Sequence, residues 1–134
     1  MGGPDFVGTF SGTGMWHDAA GQSARYRIQQ TNQVTASGFE VAFTHDFDDG
    51  SGVDATVSLT ALVPQLFRVD IAGAPVGHGD VCGDVCHYHM KFADKFVEVT
   101  YRTADEGLLV FGSSSTNAEG HYVAWRETLH RVTR

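Results

Sequence analysis

An all-β antiparallel barrel of about nine or ten strands, running up and down in chain order, is the fold the sequence predicts. Three observations predict it. Apolar and polar residues alternate with period two along most of the chain, and helical periodicity is nearly absent. Clusters of Gly, Asp, Asn and Ser break the alternation at roughly ten-residue intervals. The connections are too short for the crossover that a parallel pair needs, so each strand pairs antiparallel with the next. A meander of this kind loses its exposed edges by closing on itself, and a two-sheet sandwich is the alternative.

The first strand is Phe6–Trp16, in which Gly8, Gly12 and Gly14 permit a sharp bend. Ala19-Ala20-Gly21-Gln22 turns the chain into Ser23–Val34, and Ser37-Gly38 turns it into Phe39–Phe47. Asp48-Asp49-Gly50-Ser51-Gly52 is the clearest hairpin loop. Val53–Leu62 follows and ends before Pro64. Leu66–Ala72 is short and is closed by Gly73 and Pro75, and Val76–Val81 reads as irregular, a brief strand at most. Val85–Phe92, Lys95–Thr103, Gly107–Thr116 and Gly120–Val132 complete the set. Ala93-Asp94, Asp105-Glu106 and Asn117–Glu119 separate them.

Composition bounds the function. The 134 residues are expected to form one domain, 1–134, large enough for a core without metal or disulfide staples. Apolar residues make up 42%, too many for a disordered chain, and no apolar run reaches the ~20 residues of a membrane span. Lys and Arg number 9 against 16 Asp and Glu, a net charge of −7 that argues against a nucleic-acid partner. Met1-Gly2-Gly3-Pro4 has neither a basic flank nor an apolar stretch, so no signal peptide is expected and the compartment reads as cytoplasmic. The two cysteines, Cys82 and Cys86, lie in a doubled Gly-Asp-Val-Cys. Extended chain would hold them roughly 13 Å apart, so a disulfide needs a tight loop. Reduced thiols, a local bridge and a metal-binding pair all remain open.

The faces of the strands carry the functional signal. Phe39, Val41, Phe43, His45 and Phe47 form one apolar row, and Val53, Ala55, Val57, Leu59 and Ala61 another. Later strands mix aromatics with titratable groups, a pattern suited to a barrel that holds a ligand between apolar walls and a few polar contacts. Candidate ligand-binding residues are Trp16, Tyr26, His45, Glu98, Tyr101, Arg102, His121 and Trp125, with Arg102 placed to meet an anionic head group. His45, alone among aromatics, is either a core histidine with one hydrogen bond or a pocket acid–base group. His87 and His89 project from one face, roughly 6.5–7 Å apart at the alpha carbons. They are open to three readings: solvated side chains, pocket residues, or two ligands of a divalent metal. Neither a nucleophile elbow nor a phosphate-binding glycine loop is present.

A family resemblance adds to this reading. Phe6-Val7-Gly8-Thr9-Phe10 with Gly14-Met15-Trp16 resembles the Gly-x-Trp first strand of the calycins, the lipocalin and fatty-acid-binding superfamily. The last strand, with Trp125-Arg126 and Arg131, is similar to the family's closing strand, whose basic residue packs over the first-strand tryptophan. Length and strand count resemble the small, helix-poor bacterial relatives. The resemblance implies a calycin-like barrel with a pocket for a small hydrophobic or amphipathic molecule. In one group of related barrels a histidine near the C-terminus ligates haem, the place held here by His121 and His130. The expected function is small-molecule binding with no obligatory cofactor, divalent metal and haem being the alternatives. A small isomerase, cyclase or lyase using pocket His, Glu, Tyr and Arg, and a filled barrel serving interaction, such as a homodimer, are the competing functions.

Overall fold

The computed structural model describes residues 4–132. Residues 1–3, on which the expectation about a signal peptide largely rests, and residues 133–134 lie outside them. A 3₁₀ turn at Pro4–Phe6 leads into ten strands. They are β1 (Gly8–Asp18), β2 (Ser23–Thr35), β3 (Gly38–Phe47), β4 (Gly52–Val63), β5 (Leu66–Ile71), β6 (Ala74–Cys82), β7 (Val85–Phe92), β8 (Lys95–Ala104), β9 (Gly107–Ser114) and β10 (Val123–Arg131). Each pairs antiparallel with its sequence neighbours, and β1 pairs with β10, which closes the barrel. The all-β up-and-down barrel is therefore the observed fold, and the open sandwich is not.

Two boundaries depart from the sequence reading for identifiable reasons. Val76–Val81 lies inside a continuous nine-residue strand, β6, with Val76 left between the Val69–Gly77 and Asp70–Pro75 pairs as a bulge. Its irregular look comes from a register shift opposite Val69 and Asp70 on β5, which offsets its alternation from that of its neighbour. The last strand begins at Val123, because the side-chain oxygen of Asn117 accepts the Glu119 and His121 amides, both at 3.0 Å, and holds that stretch as a loop.

One end of the barrel is a solid floor. Phe10, Phe39, Leu59, Leu108 and Leu129 are buried there with Phe6 of the 3₁₀ turn. Each such side chain contributes about 1.5–3 kcal/mol by leaving water. Asn32 on β2 donates to the Phe6 carbonyl at 3.0 Å, and Arg131 on β10 donates to the carbonyls of Val7 and Asp5. The Arg131 guanidinium also lies 4.8 Å from the centre of the Phe10 ring. The resemblance implied that the closing-strand arginine covers Trp16. It covers Phe10 instead, because Trp16 sits three pleat repeats further on, toward the other end of β1.

Strand directions place the 19–22, 48–51, 72–73, 93–94 and 115–122 connections at the opposite, open end. Asp18 ties two of them together. Its carboxylate accepts the Ala20 and Gln22 amides at 3.0 and 2.9 Å and the Asn117 side-chain amide at 3.1 Å. The Gln22 amide, followed by the others, holds the Asp18 carboxyl below its ordinary value against the opposing effect of burial.

Candidate functional site

Between floor and open end the barrel is hollow, with a cavity of about 530 Å³. The expectation of a filled core is not met in this part of the barrel. The wall is mostly apolar: Phe43, Phe47, Val57, Val97, Val99 and Val110 contribute, with Trp16 and Trp125 side by side on β1 and β10 near the mouth. Period-two alternation explains the wall, since each of these strands points its odd-numbered or even-numbered apolar set inward.

Set into this wall is a hydrogen-bonded group drawn from three strands. The Tyr26 hydroxyl donates to Glu127 Oε2 at 2.7 Å, and His45 Nε2 lies 3.5 Å from the same oxygen. The register explains how they meet. Tyr26 on β2 and Glu127 on β10 both pair with Gly14 on the intervening β1. Two strand spacings, roughly 9.6 Å, separate their backbones. Any side chain at position 14 would collide with the Tyr26 ring, so glycine there lets the phenol cross β1 and reach the carboxyl. Gly112 does the same for the other aromatic wall: the Trp125 indole lies directly on it, where a Cβ would otherwise stand. The His45 ring packs between Tyr26 and Phe43, 4.7 Å from the centre of each.

Burial in this wall sets the charges. Desolvation raises the Glu127 carboxyl to about 7, and the Tyr26 hydrogen bond only partly offsets it. Desolvation lowers the His45 imidazole to about 4 against a weak opposing pull from Asp46. Tyr26, buried beside the carboxyl, titrates well above its ordinary range. Near neutrality the site therefore holds a neutral imidazole beside a carboxyl poised to gain or lose its proton. Deeper in, the Tyr88 and Tyr101 hydroxyls share a hydrogen bond of 3.2 Å and are held as neutral phenols by their burial.

Of the sequence candidates, the structure places Trp16, Tyr26, His45, Tyr101 and Trp125 on the cavity wall. It does not bring Glu98, Arg102 or His121 to them. Val97, Val99 and Tyr101 face inward on β8, so Glu98 and Arg102 project outward on the other side of the pleat, both exposed. The Arg102 Nε lies 3.8 Å from Asp84 Oδ2, an exposed pair. His121 is exposed in the 115–122 connection. His87 and His89 share the outer face of β7, because Cys86, Tyr88 and Met90 turn inward, and their rings lie 6.4 Å apart. Among the described residues no group of three His, Cys, Asp or Glu side chains is arranged to hold a metal. His121 and His130, the C-terminal histidines at the place of a haem ligand in related barrels, are both exposed outside the cavity. Cys82 is exposed and Cys86 buried, both free, and burial pushes the Cys86 thiol up to about 12.

Glu127, Gln30 and Asn117 also line the cavity and escaped the sequence reading. Glu127 carried a usable signal, since it lies on the same face of its strand as Trp125 and Leu129.

No protein-family model and no curated protein sequence matches the chain. Solved structures do. The S-type phycobiliprotein lyase CPES from Guillardia theta aligns with a TM-score of 0.78 at 11% identity, over 97% of this chain and 90% of that one. Rv2717c from M. tuberculosis aligns with a TM-score of 0.71 at 14% identity, over 97% of this chain and 94% of that one. The fold is calycin-like. At these identities the likeness is one of fold alone. No helix among the described residues is long and apolar enough to cross a membrane.

Proposed function

We propose that the protein binds a small hydrophobic or amphipathic molecule inside the barrel. The cavity carries this reading: its volume of about 530 Å³ and its apolar wall with few polar groups are those of a ligand site. That a barrel of the same fold is a phycobiliprotein lyase agrees with a small-molecule partner. The test is titration with the neutral fluorophore N-phenyl-1-naphthylamine. Saturation at one equivalent with a change in tryptophan emission is expected, because Trp16 and Trp125 line the cavity. Replacing the cavity residue Ala55 with tryptophan should weaken binding about tenfold or more by filling the space. Absence of saturable binding to the native protein would overturn the proposal.

The Tyr26–Glu127–His45 group favours a second reading, an enzyme of isomerase, cyclase or lyase type that moves a proton. Its two titratable groups are displaced in opposite directions by burial, the arrangement general acid–base chemistry requires. Proton abstraction from 5-nitrobenzisoxazole tests it. Acceleration over buffer that disappears in Glu127→Gln supports the reading, and a buffer-level rate in the native protein rejects it.

A further inference from the structure

The charge of the cavity selects among amphipathic ligands. Among the described residues no lysine or arginine lines it. Arg102, the sequence candidate for an anionic head group, is on the outside. Lys95 comes nearest by register, opening β8 at the rim on the same side of the pleat as Val97. The charged group that does face the interior is a carboxyl, Glu127, whose side chain is 4% exposed. Its Oε2 accepts the Tyr26 hydroxyl, while no hydrogen bond among the described residues engages Oε1. Among the described residues no buried side-chain nitrogen or oxygen is left without a partner, so Oε1 is open, on a residue that lines the cavity.

Two further observations point the same way. The walls around the carboxyl are aromatic: Trp16, Tyr26, Phe43, Phe47 and Trp125 surround the space, and aromatic faces attract cations. The connections at the open end carry Asp48, Asp49, Asp94 and Glu119 and no lysine or arginine. On a chain of net charge −7, an acidic mouth draws cations and repels anions.

We propose that the ligand is an organic amine entering as its ammonium ion, with an N–H donating to Glu127 Oε1 and an apolar body against the aromatic wall. The proposal rests on the cavity-binding reading and narrows it. Tyr26 holds the carboxyl in place through Oε2, and His45, neutral beside it, adds no competing positive charge. An anionic amphiphile would instead bring a second negative charge to a carboxyl with no cation to balance it.

The experiment compares 2-naphthylmethylamine, 2-naphthylmethanol and 2-naphthoate, three probes with one apolar body and different charge, by titration calorimetry at pH 8. The ammonium should bind about tenfold or more tightly than the alcohol, the advantage of a cationic donor over a neutral one on the same carboxylate, with the carboxylate weakest. Glu127→Gln should remove the ammonium's advantage, bringing it to within about twofold of the alcohol in the same variant. Lys95→Ala should leave the order unchanged. Equal affinity of ammonium and alcohol, or tighter binding of the carboxylate, in the native protein overturns the proposal without recourse to any variant. Binding of the alcohol alone would defeat this inference and leave cavity binding intact, whereas binding of none of the three would defeat both.

Discussion

Replacing Glu127 with glutamine should reverse the pH dependence of stability. The carboxyl moves from an ordinary 4.5 to about 7 on folding, because burial penalises its charged form. Each pH unit of difference corresponds to about 1.4 kcal/mol, so the whole displacement is about 3 kcal/mol. A carboxyl with a raised folded-state value binds its proton more tightly in the folded protein. The stability it confers is full below 4.5 and is lost as pH rises toward 7. His45 works in the other direction. Its value falls from 6.5 to about 4, so its stability is full above 6.5 and is lost as pH falls toward 4. Solvent entering through the mouth screens His45, which reduces its share to about 1 kcal/mol. Asp18 and Asp70 titrate below their ordinary 3.8 and stay ionised between pH 5 and 8. The native protein should therefore be more stable at pH 5 than at pH 8 by about 1–2 kcal/mol. Glutamine keeps an oxygen for the Tyr26 hydroxyl but cannot titrate. The variant should be less stable at pH 5 than at pH 8 by about 1 kcal/mol, the His45 contribution alone. Urea unfolding followed by tryptophan emission at the two pH values measures both. A variant that retains the native pH dependence would refute the assignment of that dependence to Glu127.

Three other outcomes follow from the packing. Gly112→Ala should displace the Trp125 indole that lies on it, costing about 1–3 kcal/mol and altering the near-ultraviolet circular dichroism. Unchanged spectra and stability would mean that the indole does not rest there. Arg131→Met should lower stability by about 1–2 kcal/mol and speed hydrogen exchange around Phe6 and Val7, because the arginine's contacts to the N-terminal turn and to Phe10 are lost. Maleimide should label Cys82 in the native protein and reach Cys86 only on unfolding, since Cys86 is buried with its thiol held at about 12. Labelling of both at equal rates would contradict that burial.

The meander was legible because each hairpin is a local event, written in alternation and in turn residues such as Asp48-Asp49-Gly50. The inner row of β3, with His45 among Phe43 and Phe47, was equally legible, since alternation along one strand fixes its face. The site was legible only in part. Glu98 and Arg102 were grouped with Tyr101 although position 101 differs in parity from both, and the pleat sends them to opposite sides. Position alone separates these residues. What no single strand discloses is the meeting of Tyr26 with Glu127, 101 residues away along the chain. It depends on the register of three strands and on a glycine in the middle one, and such long-range register is set by closure of the whole barrel. Arg131 over Phe10 escaped for the same reason: which end of β1 meets the end of β10 is decided by the pairing of those two strands.

The measurement that bears most directly on the central claim is a crystal structure of the protein grown with 2-naphthylmethylamine. Density for the naphthalene inside the barrel, against Trp16 and Trp125 and with its nitrogen at hydrogen-bond distance from Glu127, is the predicted result. Side chains filling the cavity, or the probe bound only on the outer face, would contradict it.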